Sequence, residues 1–169
     1  MLKKKFAILA LILLPSFALA ADRLVSPDKS LVVIIEPFQQ TKEKAAENVI
    51  SIVKSDGTVL AKKDLRSPDK EHGYVIDKIR WTADSQFLVF STYSSGGHQP
   101  WHTPTFFYGR KDNKIRSVDD LLGPVLDPDF EISSTNILKV LIQDKTSQKE
   151  KVVSVKLLEL INKKIGDRP

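Results

Sequence analysis

The residues best suited to chemistry are crowded into one stretch. Tyr93-Ser94-Ser95-Gly96-Gly97-His98-Gln99-Pro100-Trp101-His102-Thr103-Pro104 holds two of the three histidines, one of the two tryptophans and two of the seven glycines. Three kinds of chemistry fit it. His98 and His102 are four apart, and neutral imidazoles are good ligands for zinc, copper or nickel. Pro100 blocks the helix that would aim both rings at one point, so a third ligand from Asp84, Asp77 or His72 is needed. Alternatively, Tyr93, Trp101 and Phe107 form an aromatic platform for a sugar or a peptide, with Gly96 and Gly97 permitting close backbone approach. Or one histidine works with a nearby carboxylate as a general acid or base. Against all three stands a structural role, in which Trp101 plugs the core and the histidines bond to backbone.

The remaining composition is restrictive. There is no cysteine, which excludes disulfides, thiol nucleophiles, cysteine-built zinc sites and a lipid-anchoring cysteine. The familiar Gly-x-Ser-x-Gly, His-Glu-x-x-His, P-loop and dinucleotide Gly-rich motifs are also missing. The net charge of +5 includes Lys3, Lys4 and Lys5. Those lysines precede an apolar run, Phe6 to Leu14, and a small-x-small site, Ala18-Leu19-Ala20. Together they read as a secretory signal over residues 1–20, too short in its core to span a bilayer. Cleavage after Ala20 leaves residues 21–169 at a net +2, so a nucleic-acid partner is not expected. The short basic clusters Lys62-Lys63, Lys149 to Lys151 and Lys163-Lys164 read as solvated surface. A single domain without membrane anchor, in the periplasm or secreted, is the expectation.

The elements that must position the His/Trp stretch are strands. Leu31 to Ile35 is a continuous apolar run, as expected of a strand buried on both faces. Val49 to Val53 and Thr58 to Ala61 flank Asp56-Gly57, a hairpin signal. Tyr74 and Ile76 alternate, then a slip brings in Ile79 and Trp81. Phe87 to Phe90, Thr105 to Tyr108 and Ile137 to Ile142 are further strand candidates. Val152 to Ile161 suits strand or helix, with strand slightly favoured. Helices are minor: Thr41 to Asn48 as a short exposed helix, and Val118 to Leu122 capped by Ser117 and stopped by Gly123-Pro124.

A shift of 56 residues lays Ser26-Pro27-Asp28 on Thr82-Ala83-Asp84 and Leu31 to Ile34 on Phe87 to Phe90. The same shift lays Asp56 on Asp112 and Val59 on Ile115. Turns fall on turns and strands on strands. A third, shorter copy is expected from Asp127-Pro128-Asp129, giving repeats over about 24–66, 74–122 and 127–161. Ser67-Pro68-Asp69-Lys70 repeats the turn tetrapeptide but leads into a polar stretch. Each Ser/Thr-x-Asp turn opens a β-meander, a pattern of propeller blades.

Ile79 to Ser91, with its Trp-Thr-Ala-Asp-Ser turn, resembles the Trp-Ser-Pro-Asp-Gly turn and strand of TolB-type (WD40-like) propeller repeats, and so does Ser26-Pro27-Asp28-Lys29. The resemblance implies an all-β fold of two to three blade-like antiparallel meanders packed in one domain, with short helical turns in loops. It implies binding or scaffolding more than catalysis. Two or three copies do not close a ring of four to eight blades, so a stack, a sandwich or a ring shared with further copies are alternatives. The functional expectation is an exported, non-enzymatic binding protein without cofactor, whose long loops share one face. Its partner would be a periplasmic or secreted protein or a small ligand. The alternative is a metal-binding or metal-dependent hydrolytic protein using His98, His102 and Asp84.

Overall fold

The computed structural model describes residues 22–36, 46–96 and 101–162. The expected signal segment, Gly97, His98 and most of the expected 41–48 helix lie outside them. The architecture is all-β: three antiparallel sheets, each a meander of strands adjacent in sequence, with no closed barrel. The first sheet comprises β1 (Asp22–Val25), β2 (Leu31–Glu36), β3 (Val49–Lys54) and β4 (Val59–Asp64). The second comprises β5 (Tyr74–Trp81), β6 (Phe87–Ser94), β7 (Thr105–Gly109) and β8 (Lys114–Ser117). The third has three strands, β9 (Glu131–Ile132), β10 (Ile137–Gln143) and β11 (Glu150–Lys156). Two short helices, α1 (Val118–Leu122) and α2 (Leu157–Asn162), follow β8 and β11. The ambiguous 152–161 run is therefore both: strand to Lys156, then a helix that buries Leu157 and Leu160. Among the described residues no helix is long and apolar enough to cross a membrane.

The sheets stack through alternating side chains. Leu88, Phe90 and Tyr108 face the first sheet and pack with Leu31, Val33, Ile50 and Ile52. Phe87, Val89 and Phe107 point the other way and pack with Leu138, Val140, Leu157 and Leu160. The middle sheet thus has a core on each face. Trp81 is buried, meeting Tyr108 edge-on with ring centroids 6.2 Å apart. The slip foreseen in β5 is real: its register with β6 shifts between Ile76 and Ile79.

Three β-turns enter β2, β6 and β10 at one end of the stack. Ser26 Oγ and Thr82 Oγ1 each donate to the Asp two residues on, at 2.7 Å in both turns. Each hydroxyl also accepts the amide that opens the next strand, Leu31 or Phe87, at 3.0 Å. Lys29 and Ser85 take the left-handed conformation, with φ of 60° and 62°. The third such turn is Ser133 to Asn136, with Asn136 at φ 60°. The Asp127-Pro128-Asp129 segment lies before β9, and β10 and β11 cover the expected 137–142 run and the first part of the 152–161 run. The turns clasp one another: Ser85 Oγ accepts from the Asp28 amide at 3.0 Å, and Asn136 Nδ2 donates to Asp84 at 2.6 Å.

Candidate functional site

Because hairpin connections alternate, the opposite end of the stack gathers the described parts of the longer segments: 46–48, 65–73, 95–96, 101–104 and 118–127. The 65–73 strap joins the first sheet to the second. It contains Ser67-Pro68-Asp69-Lys70, which forms the same turn: Ser67 Oγ donates to Asp69 at 2.7 Å, and Lys70 has φ 59°. No strand follows at once because Glu47 captures the strap. The Glu47 carboxylate accepts from the amides of Ser67 (2.6 Å) and Gly73 (2.5 Å) and from the hydroxyl of Ser95 (2.8 Å), and it shares the single Ser67 hydroxyl proton (2.8 Å) with Asp69. Burial pushes the carboxyl up, but these donors outweigh it and hold it below the ordinary Glu value. Asn48 continues the seam, its side-chain oxygen accepting from Ile76 N at 2.8 Å. The described end of the expected exposed helix is thus buried and non-helical. Lys/Glu/Ala-rich sequence favours a solvated helix, but satisfied backbone donors override that preference here.

Gly96 lies against this strap. A side chain there would overlap the Glu71 carbonyl. The close approach foreseen for a ligand is, at Gly96, an approach of the chain itself. His72, one candidate third metal ligand, is exposed and paired with Asp69 at 2.5 Å.

The rest of the loop is anchored from both sides. Thr103 N donates to Val125 O at 2.6 Å, and Thr92 Oγ1 to Pro104 O at 2.8 Å. The half-buried Asp119 carboxylate accepts from Thr105 N at 2.9 Å and Val125 N at 3.1 Å. Asp119 sits on α1, whose cap is the expected one: Ser117 Oγ accepts from Asp120 N at 3.1 Å. Burial raises the Asp119 carboxyl above its ordinary value; the two amides and the nearby His102 pull it back only partly. His102 Nδ1 is buried without a hydrogen-bond partner, and its ring lies 4.8 Å from that of Trp101.

Trp101 itself is 63% exposed. It does not plug the core, which the aromatic side chains of β6 and β7 already fill. Phe107 is wholly buried, so it cannot share a platform with Trp101; its strand alternation points it into the core. Tyr93 is half-buried at the end of β6 on the same sheet face as Phe107. Asp84 is separated from His102 by the whole of β6, about 23 Å of extended chain. Its oxygens accept from Thr82, Gln86 and Asn136. It therefore belongs to the turn end and not to a metal site with His102. Among the described residues no group of three or more His, Asp or Glu side chains is placed to hold a metal ion.

Sequence reasoning missed Glu47 and Asp119. Glu47 lay in a stretch that reads as solvent-facing, and Asp119 was passed over inside a capped turn. The Ser117 cap was the available signal for Asp119, because it fixes which first-turn acid faces inward.

No family model matches the chain, and no curated protein matches its sequence. Among solved structures it is similar to Kuenenia stuttgartiensis hydrazine synthase, at 13% identity and a TM-score of 0.46. The match covers 83% of this chain, which spans 41% of that structure's length.

Proposed function

We propose that this chain is an exported, non-enzymatic binding protein built from repeated blade-like meanders, and that it meets its partner at the loop end of the second sheet. The observation that carries this is Trp101. A large aromatic side chain held 63% exposed is uncommon on a solvated surface. Here it stands on a loop whose backbone is pinned through Thr103, Pro104 and Thr105. A pre-positioned Trp contributes contact area at small entropic cost, which is how aromatic anchors work in binding sites. The His102 ring flanks it, 4.8 Å away between centroids. Catalysis is the poorer reading, because the Asp119 oxygens are engaged by backbone amides and do not orient the His102 ring.

The test uses Trp101 as its own reporter. The chain and its Trp101→Phe variant are titrated with panels of soluble oligosaccharides and short peptides, and the difference in tryptophan emission is followed. A saturable shift with one class, absent from the variant and weakened in His102→Ala, supports the reading. No saturable response from either panel overturns it.

A further inference from the structure

Away from Trp101, the outer strands of the first two sheets enclose a groove. Two adjoining hollows form it, of about 550 and 360 Å³, sharing Lys63, Ile115 and Arg116. Its walls carry Lys62 and Lys63 from β4 and Lys114 and Arg116 from β8. Its floor is apolar, made by Phe106, Ile115, Leu121 and Ile161. Arg116 is neutralised by an ion pair with Asp112. The three lysines make no ion pair within 4 Å among the described residues, although Lys62 acts on Asp64 and Lys114 on Asp112 at longer range. The Lys63 ammonium is set over the Phe106 ring, 4.3 Å from its centroid. Asp120 is the carboxylate in the lining. The groove is thus cationic along its walls and apolar beneath.

Both walls are also sheet edges. β4 hydrogen-bonds only to β3, and β8 only to β7, among the described strands. Among the described residues neither edge has a further strand partner, and the two edges run close to each other. We propose that this groove binds an extended acidic peptide of a partner protein, added alongside an edge strand. Alternate carboxylates would meet Lys63 and Lys114, and the intervening apolar residues would rest on Phe106 and Ile115. A strand adding to an edge presents side chains with this period of two. A uniformly anionic polymer uses the cations but leaves the apolar floor and the edge backbone unanswered, so the peptide is the better fit. β8 spans four residues, about 13 Å of extended chain, which sets the contacting core of the peptide at about four residues. No residue of the Trp101 loop lines the groove, and the proposal does not rest on that loop.

The probe is a fluorescein-labelled octapeptide alternating glutamate and valine, titrated into the full chain by anisotropy. The control is the same peptide with lysine for glutamate. Saturable binding of the acidic peptide alone is expected, weakening with added salt. Lys63→Glu/Lys114→Glu should weaken it by about tenfold, as two pairs change from attraction to repulsion, whereas Trp101→Ala should leave it unchanged. Amide shifts in the unaltered chain should move at 60–64 and 113–117, a readout that does not depend on the variant folding. Equal binding of the lysine peptide, shifts confined elsewhere, or no saturable binding overturns the proposal. So does complete displacement by a heparin-type polysaccharide that itself produces the same shifts with equal affinity, which would assign the groove to a polyanion.

Discussion

The amide of Gly73 donates to the carboxylate of Glu47 at 2.5 Å, across the junction between the first and second sheets. Ser67 and Ser95 donate to the same carboxylate. One side chain therefore ties the connecting strap to the end of β6. Glu47→Gln keeps the volume but removes the charge and half of the acceptor capacity. It is expected to cost about 2–4 kcal/mol, since donors to a charged group lose their partner while still buried. Urea unfolding measures this, and a loss below about 0.5 kcal/mol would place the effect among ordinary surface substitutions. The sign with pH follows from the lowered carboxyl. Its contribution is complete above the ordinary Glu range and is lost as pH falls through the folded value. The gap between the chain and Glu47→Gln should therefore close in acid.

Gly73 is constrained by space. A Cβ there would come within 2.5 Å of both the Glu47 carboxyl carbon and the Leu65 carbonyl oxygen. Gly57, by contrast, has open space but a φ of +86°. Gly73→Ala should cost about 1–3 kcal/mol by overpacking, and Gly57→Ala about 1–2 kcal/mol by backbone strain. Moving the Glu47 side chain does not relieve the contact with Leu65 backbone. Thermal midpoints should rank Gly73→Ala below Gly57→Ala; the reverse order would show that the strap yields easily.

Phe107 and Trp101 are both aromatic and six residues apart, but their costs should diverge. Phe107→Ala empties a fully buried site and should lose about 3–5 kcal/mol. Trp101→Ala removes an exposed ring and should stay within about 0.5 kcal/mol. Chemical denaturation of both variants decides it. A large loss at Trp101 would restore it to a packing role.

Asp119 gives a pH dependence of the opposite sense. Burial raises its carboxyl in the folded chain, so the contribution is complete below the ordinary Asp range and is lost as pH climbs through the raised value. Against Asp119→Asn, which does not titrate, the unaltered chain should lose ground over that rise. Urea midpoints from acid to neutral pH measure it. A chain that gains on the variant instead would mean that the Thr105 and Val125 amides outweigh burial.

Much of the fold was legible where local chemistry and packing agree. The Asp56-Gly57 turn, the Ser117 cap and the slip in β5 were visible because each depends on residues close in sequence. The turn that opens β10 went unmarked. Ser133-Ser134-Thr135-Asn136 has no Pro or Asp to mark it, while Asp127-Pro128-Asp129 carries the stronger local signal. Glu47 escaped for a different reason: its donors lie 20, 26 and 48 residues away. Trp101 looked like a core plug because large aromatics usually are. Only the filled space between the sheets shows that there is no room for it.

The two-sided burial of β6 and β7 has a consequence for the order in which the chain can be assembled. Made from its N-terminus, the first sheet is complete at Asp64, yet the surface formed by Leu31, Val33, Ile50 and Ile52 stays wet until Tyr108 has been added. A chain halted at Ser117 has covered that surface and bared another, Phe87, Val89 and Phe107, which waits for Leu160. At every stage one greasy face is open, and it is always the latest one built. Such intermediates are sticky, so the hazard of misassembly moves along the molecule with synthesis and ends only when α2 closes over the last face.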